Sequence, residues 1–320
     1  MELKIIKADD QYQNQAINLN LNTYQNLRKE IPFLPSVEYY KEDLNDSINE
    51  IFKQGFGVIA VKKDKLVGYL LGYQVKELFG KDKGIYVPFY GHATIESNKK
   101  EIYQKMYTRA AKLWVKENCL NHALTITACD RDVINTFFYL GFGLRCIDAL
   151  RQVNEIQTDT IKQTVGIKKA KIKDINQMDD LYRENCFYFK NSPLFMPISS
   201  EVSIDELKDW LEQDNHHLWL AYKDNNIIGF MRIEPKGETI ISTYPNMMNI
   251  TGAYIDQRYR RQNIGMQLLV YVLDWLKKEN YELCGVDFES INVTGSNFWL
   301  KYFTPYTNSL VRHIDDRINN

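Results

Sequence analysis

Hydrophobic and polar positions along this chain change period in a recurring order. Ile250 to Ile255 reads as a strand, and Ile264 to Leu276 carries apolar residues at helical spacing, closing on Lys277 and Lys278. A second long helix is expected over Glu101 to Glu117, beside the one over Gly265 to Lys278. The strands that follow them, His122 to Cys129 and Cys284 to Phe288, precede short helices ending at Phe142 and Phe303. Upstream, Ala60 to Tyr69 and Ala221 to Phe230 each read as strand, turn, strand.

These segments lie at one constant offset of 161 residues, the distance from Ala60 to Ala221. The same offset pairs Ile6 with Ile167, Trp114 with Trp275, Phe137 with Phe298, Phe142 with Phe303 and Arg151 with Arg312. One register kept over such a length implies two copies of one fold. A chain of 320 residues accommodates two domains at roughly 150 residues each. We place them at 1–153 and 165–320, joined by the polar stretch Asn154 to Thr160, which carries few residues that could pack. The expected class is α/β, each copy a mixed, mostly antiparallel sheet flanked by helices.

Composition narrows the function. Hydrophobic residues make up 44% of the chain and charged residues 25%, with a formal net charge of −1, so no basic excess points to nucleic acid. No run of about 18 apolar residues suggests a membrane span, and Met1 to Lys4 does not open a secretory leader, so the reading is cytoplasmic with no membrane partner. The five cysteines form no C-x-x-C pair, and the adjacent His216 and His217 would point to opposite faces of a strand. No metal site is expected.

The stretch from Tyr259 to Leu269 carries the most specific chemistry. Arg260, Arg261 and Gln262 lead through Asn263 into a helix whose first turn contains Ile264, Gly265 and Met266. Amides at a helix start have no intrahelical partner and sit at the positive end of the helix dipole, so a diphosphate can bind there. Gly265 allows close approach, and Asn263 is a residue that tolerates a left-handed turn.

At these residues the sequence resembles the GNAT family of acetyl-CoA-dependent N-acetyltransferases. The family loop reads R/Q-x-x-G-x-G/A; here it is Arg260-x-x-Asn263-x-Gly265, without the first glycine. The resemblance implies a fold in which the fourth and fifth strands of a domain splay apart and the pantetheine arm lies along the fourth. The backbone of Ala253, Tyr254 and Ile255 would then pair with the arm, and Asn292 would contact it, unless Asn292 simply caps the helix at Thr294. At the 161 offset the loop faces Lys99 to Gln104, where no glycine remains and Glu101 would repel a diphosphate. The first copy therefore reads as a degenerate domain without a cofactor site.

Acetyl transfer needs the thioester carbonyl held, the amine deprotonated and the leaving thiolate protonated. The tyrosine that the family places after the asparagine falls here on Phe298 or Trp299, neither of which has an acidic proton. Tyr302 and Tyr306 stand nearby in a protein with 21 tyrosines, and Tyr302 is the candidate acid. Candidate bases are Glu289, Asp287 and Glu234, with Glu289 preferred for its place at a strand end. The aromatic stretch Cys186 to Pro197 would wall the acceptor pocket. The resemblance thus implies transfer from acetyl-CoA to the amine of a small molecule or peptide, with a CoA-binding sensor as the competing reading. The sequence names neither the acceptor nor the oligomeric state.

Overall fold

A computed structural model describes residues 2–80, 82–154, 162–196 and 204–319. In chain order, the first part carries β1 (Lys4–Lys7), α1 (Gln13–Glu30), α2 (Lys41–Gln54), β2 (Phe56–Lys62), β3 (Lys65–Val75), β4 (Gly84–Val87), β5 (His92–Thr94), α3 (Lys99–Lys116), β6 (Asn121–Thr127), α4 (Arg131–Tyr139) and β7 (Gly143–Gln152). The second carries β8 (Gly166–Lys169), α5 (Ile172–Ile175), α6 (Asp179–Lys190), α7 (Ile204–Leu211), β9 (His217–Lys223), β10 (Asn226–Glu234), β11 (Met247–Ile255), α8 (Ile264–Lys278), β12 (Leu283–Glu289), α9 (Val293–Tyr302) and β13 (Thr304–His313). Residues 155–160 of the expected linker lie outside the described residues.

The fold class is α/β, as the pattern implied. In the first unit the strands run β1-β2-β3-β4-β6-β13, antiparallel except for β4 beside β6, with β5 also on β3. In the second they run β8-β9-β10-β11-β12, antiparallel except for β11 beside β12, and β7 pairs with β12.

The compact units depart from the boundaries of the repeat. Unit one is Met1–Ile147 with Pro305–Asn320, and unit two is Asp148–Thr304. Each copy thus ends in a strand that serves the other unit. Thr307 to His313 pair with Thr127 to Asn121 of β6, and Leu310 is fully buried in the core that α3 and α4 form with β6. Conversely, the amide of Val153 donates to the carbonyl of Glu282 at 2.8 Å, just before β12.

The amphipathic helices form as their spacing requires. α8 buries Ile264, Leu268, Leu269, Val272 and Leu276 on one stripe, and α3 buries Ile102, Met106, Tyr107, Ala110 and Trp114. These sets match at an offset of 162, one more than in the sequence alignment, so Trp114 stands opposite Leu276 and not Trp275. In that register α3 begins three residues early, at Lys99, whereas α8 begins at Ile264.

Leu310→Ala should therefore destabilise the first unit by about 2–5 kcal/mol, the usual range for a buried leucine. Hydrogen exchange should show protection lost in β6, and loss confined to β12 would contradict the strand exchange.

Candidate active site

The site arises where two strands part company. β11 pairs in parallel with β12 from Met247↔Leu283 to Ile250↔Val286, and the pairing stops there although both strands continue. On its other side, β11 opposes Ile233 with Ile250 and Arg232 with Gly252, leaving Thr251 as an inserted residue. Such a bulge bends a strand and raises its twist, and here it falls at the last paired residue. The edge of β11 from Thr251 to Ile255 is thereby turned out of the β12 ladder. Thr251 Oγ1 donates to the carboxylate of Glu234 across the bulge.

Beyond Ile255 the chain makes a tight turn built on Asp256. Its buried carboxylate accepts the amide of Arg258 at 2.9 Å, and the Arg258 side chain holds it below the usual carboxylate range. Arg260 Nε donates to the carbonyl of Ile255 at 3.0 Å, and its guanidinium lies 4.5 Å from the Tyr188 ring centroid and 5.1 Å from that of Tyr254. Arg261 and Asn263 both adopt positive φ, 61° and 59°. Asn263 is the N-cap of α8 in the left-handed conformation, and no side chain caps the first turn. The helix start is uncapped, with asparagine in the left-handed conformation that glycine most readily adopts.

A cavity of about 400 Å³ opens between the parted strands, α6, α8 and α9. Ala253, Tyr254, Ile255, Arg260, Arg261, Asn263, Ile264, Gly265, Met266, Asn292 and Tyr302 all line it. Gln262 does not; it is exposed, with its side chain 3.5 Å from the carbonyl of Arg258. A Cβ added to Gly265 would meet Phe298 at 3.6 Å, ordinary contact, so alanine fits while a longer side chain would enter the cavity.

Asn292 caps the helix, one of the two readings made of it, and it also lines the cavity. Its Oδ1 accepts the amide of Gly295 at 3.1 Å, capping α9, and also the phenol of Tyr188 at 2.8 Å. Asp130 caps α4 in the same way, accepting the amide of Val133 at 3.2 Å, which aligns Trp299 with Phe137. Phe298 and Trp299, between which the sequence left the tyrosine position, both line the cavity, and Trp299 is buried. Tyr302 packs its ring 5.2 Å from that of Phe298.

None of the three candidate bases, Glu289, Asp287 and Glu234, lines the cavity. Asp287 is the first residue of β12 beyond the last pair with β11, and it shares a strand face with Glu289. Burial, with Asp148 and Glu238 nearby, pushes its carboxyl up to about 7. The aromatic stretch contributes Tyr188 and Phe189 to the wall, whereas Pro197 lies outside the described residues. Sequence reasoning missed Asn185, which lines the cavity one turn before Phe189, and the bridge from Tyr188 to Asn292. No local signal marks a contact across 104 residues.

Comparison with known proteins follows this geometry. The chain resembles the GCN5-related N-acetyltransferase from Sphaerobacter thermophilus, at 9% identity and a TM-score of 0.61, over 97% of this chain and 95% of that one. It also resembles the GCN5-related glucosamine N-acetyltransferase region of a fungal multi-domain GH3 beta-N-acetylglucosaminidase, at 10% identity and a TM-score of 0.54, over 97% of this chain and 38% of that one. No curated protein matches the sequence. The fold of the chain is therefore like that of these two structures. Residues 176–299 match the Acetyltransferase (GNAT) family model. No described helix is long and apolar enough to cross a membrane, and no described group of His, Cys, Asp and Glu could hold a metal ion.

The raised pKa of Asp287 has a stability consequence. A carboxyl that titrates near 7 when folded and near 3.8 when unfolded favours folding in its protonated form, so this contribution is present below about pH 4 and lost as pH rises through 7. Asp287→Asn should accordingly be more stable than the parent at pH 8, by on the order of 1–4 kcal/mol, and lose that advantage toward pH 4. Parallel stability curves from urea unfolding at both pH values would refute the assignment.

Proposed function

We propose that the second unit binds acetyl-CoA and transfers its acetyl group to the amine of a small molecule or peptide. The observation that carries this reading is the free edge of Thr251 to Ile255 running into the uncapped start of α8, with one cavity along both. An extended amide-bearing arm can pair with such an edge, and a diphosphate suits the amides of Ile264, Gly265 and Met266 with Arg261 beside them. Asn292 would take a polar group of the arm. The first unit offers no equivalent, because the extra turn Lys99 to Glu101 winds into helix what is loop in the second unit and places Glu101 in the first turn.

The cofactor supplies the activated acetyl group. The chain's own groups must hold the amine neutral and accept its proton as the C–N bond forms. Asp287 is the base we favour over Glu289, because it stands at the fork and titrates near neutrality, where a base is most effective. Glu234, bonded to Thr251 at the bulge, is the alternative. Tyr302 is the candidate acid for the departing thiolate. A CoA-binding sensor without turnover is the second reading, favoured by Phe298 and Trp299, neither of which has an acidic proton to give.

Isothermal titration with acetyl-CoA should give a stoichiometry near one per chain. Gly265→Glu should abolish binding in a folded protein, because it sets a carboxylate at the diphosphate site, while Gly265→Ala should keep it. Two equivalent sites, or equal affinity in Gly265→Glu, would overturn the reading.

For turnover, Asp287→Asn should lower the rate by roughly 10²–10⁴-fold with acetyl-CoA affinity intact, and the parent's rate should rise with pH through about 7. Thiol release over a panel of amines measures this. A full rate in Asp287→Asn with a large loss in Glu289→Gln would return the base to Glu289, and CoA binding without thiol release from any amine would favour the sensor.

A further inference from the structure

The first unit lacks the diphosphate cradle, yet it keeps a fork. β4 pairs with β6 as far as Val87↔Leu124, after which the chain turns through Pro88 into β5, which pairs with β3. At that opening lies a cavity of about 620 Å³, larger than the one in the second unit. The end of α1, β5, the start of α3 and the start of α4 form its walls. They correspond one for one to the end of α6, β11, the start of α8 and the start of α9. The volume lies within the roughly 300–1,000 Å³ typical of small-molecule sites.

The chemistry of the wall has changed. At its centre Lys99 Nζ stands 2.8 Å from Glu96 and 2.9 Å from Asp130. Glu96 also accepts the side-chain amide of Asn26 at 3.1 Å, and Asn26 accepts the ammonium of Lys29 at 2.9 Å. Asp130 is fixed by its cap on Val133. Behind them, His92 Nε2 lies 3.0 Å from the carbonyl of Thr125 and must donate to it, so Nδ1 accepts the phenol of Tyr103 at 2.7 Å. Burial pushes His92 down to about 4, so that pair carries no charge at neutral pH.

We propose that this cavity is a second ligand site and that it takes a small, uncharged, polyhydroxylated molecule of the sugar class. Lys99 and Lys29 together balance Glu96 and Asp130, so the linked network of side chains carries no net charge. A diphosphate would meet the carboxylates of Glu96 and Asp130, and a cation would meet Lys99. What remains available is hydrogen bonding at fixed positions: carboxylate oxygens carry about four acceptor sites, of which each of these two acids uses only part, and Lys99 keeps a third N–H. Hydroxyl groups both donate and accept, and so match an array of mixed sign. Phe89, Ile126 and Val133 supply apolar wall against which the C–H face of a sugar ring can lie. Nothing in this site depends on the acetyl-CoA reading of the other unit.

The test is ligand-observed NMR and calorimetry on the full chain with a panel of neutral mono- and disaccharides and inositols, with inorganic phosphate, free amino acids and CoA as counter-ligands. At least one neutral polyol should bind with a dissociation constant of about 1 mM or tighter, a usual strength for a small polar ligand. Binding should fall at least tenfold in Glu96→Ala, an exposed position, and in Cys129→Trp, which fills the cavity from its exposed rim, while Gly265→Glu leaves it unchanged. Circular dichroism of both cavity variants guards against misfolding. The proposal fails if no neutral polyol binds, if the counter-ligands alone bind at residues of this cavity, or if polyol binding survives both folded cavity variants.

Discussion

The separation of β11 from β12 after Ile250 and Val286 is the feature on which the rest of the second unit depends. A sheet gains most by pairing every backbone group, so two strands diverge only where something enforces it. The inserted Thr251 does so here, tied by its hydroxyl to Glu234 while its neighbours stay paired with β10. The same divergence frees an edge, opens the cavity, and leaves Asp287 as the first residue of β12 with no partner strand on that side. A carboxyl placed there is half-buried, with Asp148 and Glu238 near it, which is why it titrates far above an ordinary aspartate. Geometry and acid strength thus share one origin.

The turn after β11 is held by a small number of contacts. Asp256 anchors the turn, Arg260 ties it back to Ile255, and left-handed Arg261 and Asn263 bring the chain into α8 with its first amides uncapped. In the first unit Asn98 adopts nearly the same conformation as Asn263, φ 59° in both, yet it precedes a helix that starts three residues early in the packing register. One near-turn of helix, about 4.5 Å of rise, separates the two helix starts. The two openings differ in their walls, one mostly aromatic and apolar, the other half polar and rich in charged side chains.

Much of this was legible in the chain itself. The paired hairpins, α8 and the left-handed role of Asn263 follow from local pattern and from what asparagine tolerates, and all three stand in the structure. The exchange of β7 and β13 was not legible, because both strands follow the same kind of helix at the same offset, and their partners are chosen by packing far away in sequence. The early start of α3 was hidden for a different reason: Lys99, Lys100 and Glu101 favour helix and carry no apolar periodicity to set its beginning. Asp287 was visible as a carboxylate beside Glu289, but its acid strength depends on Asp148, 139 positions earlier, and no single-sequence signal links them.

The central claim is that the free edge of β11 and the start of α8 together receive acetyl-CoA. Amide hydrogen exchange with and without acetyl-CoA tests it directly. Protection should rise at Thr251 to Ile255 and at Ile264 to Met266, with no change at Lys99 to Glu101 of the first unit. A rise at the start of α3, or binding that leaves the edge of β11 as exchangeable as before, would contradict the account.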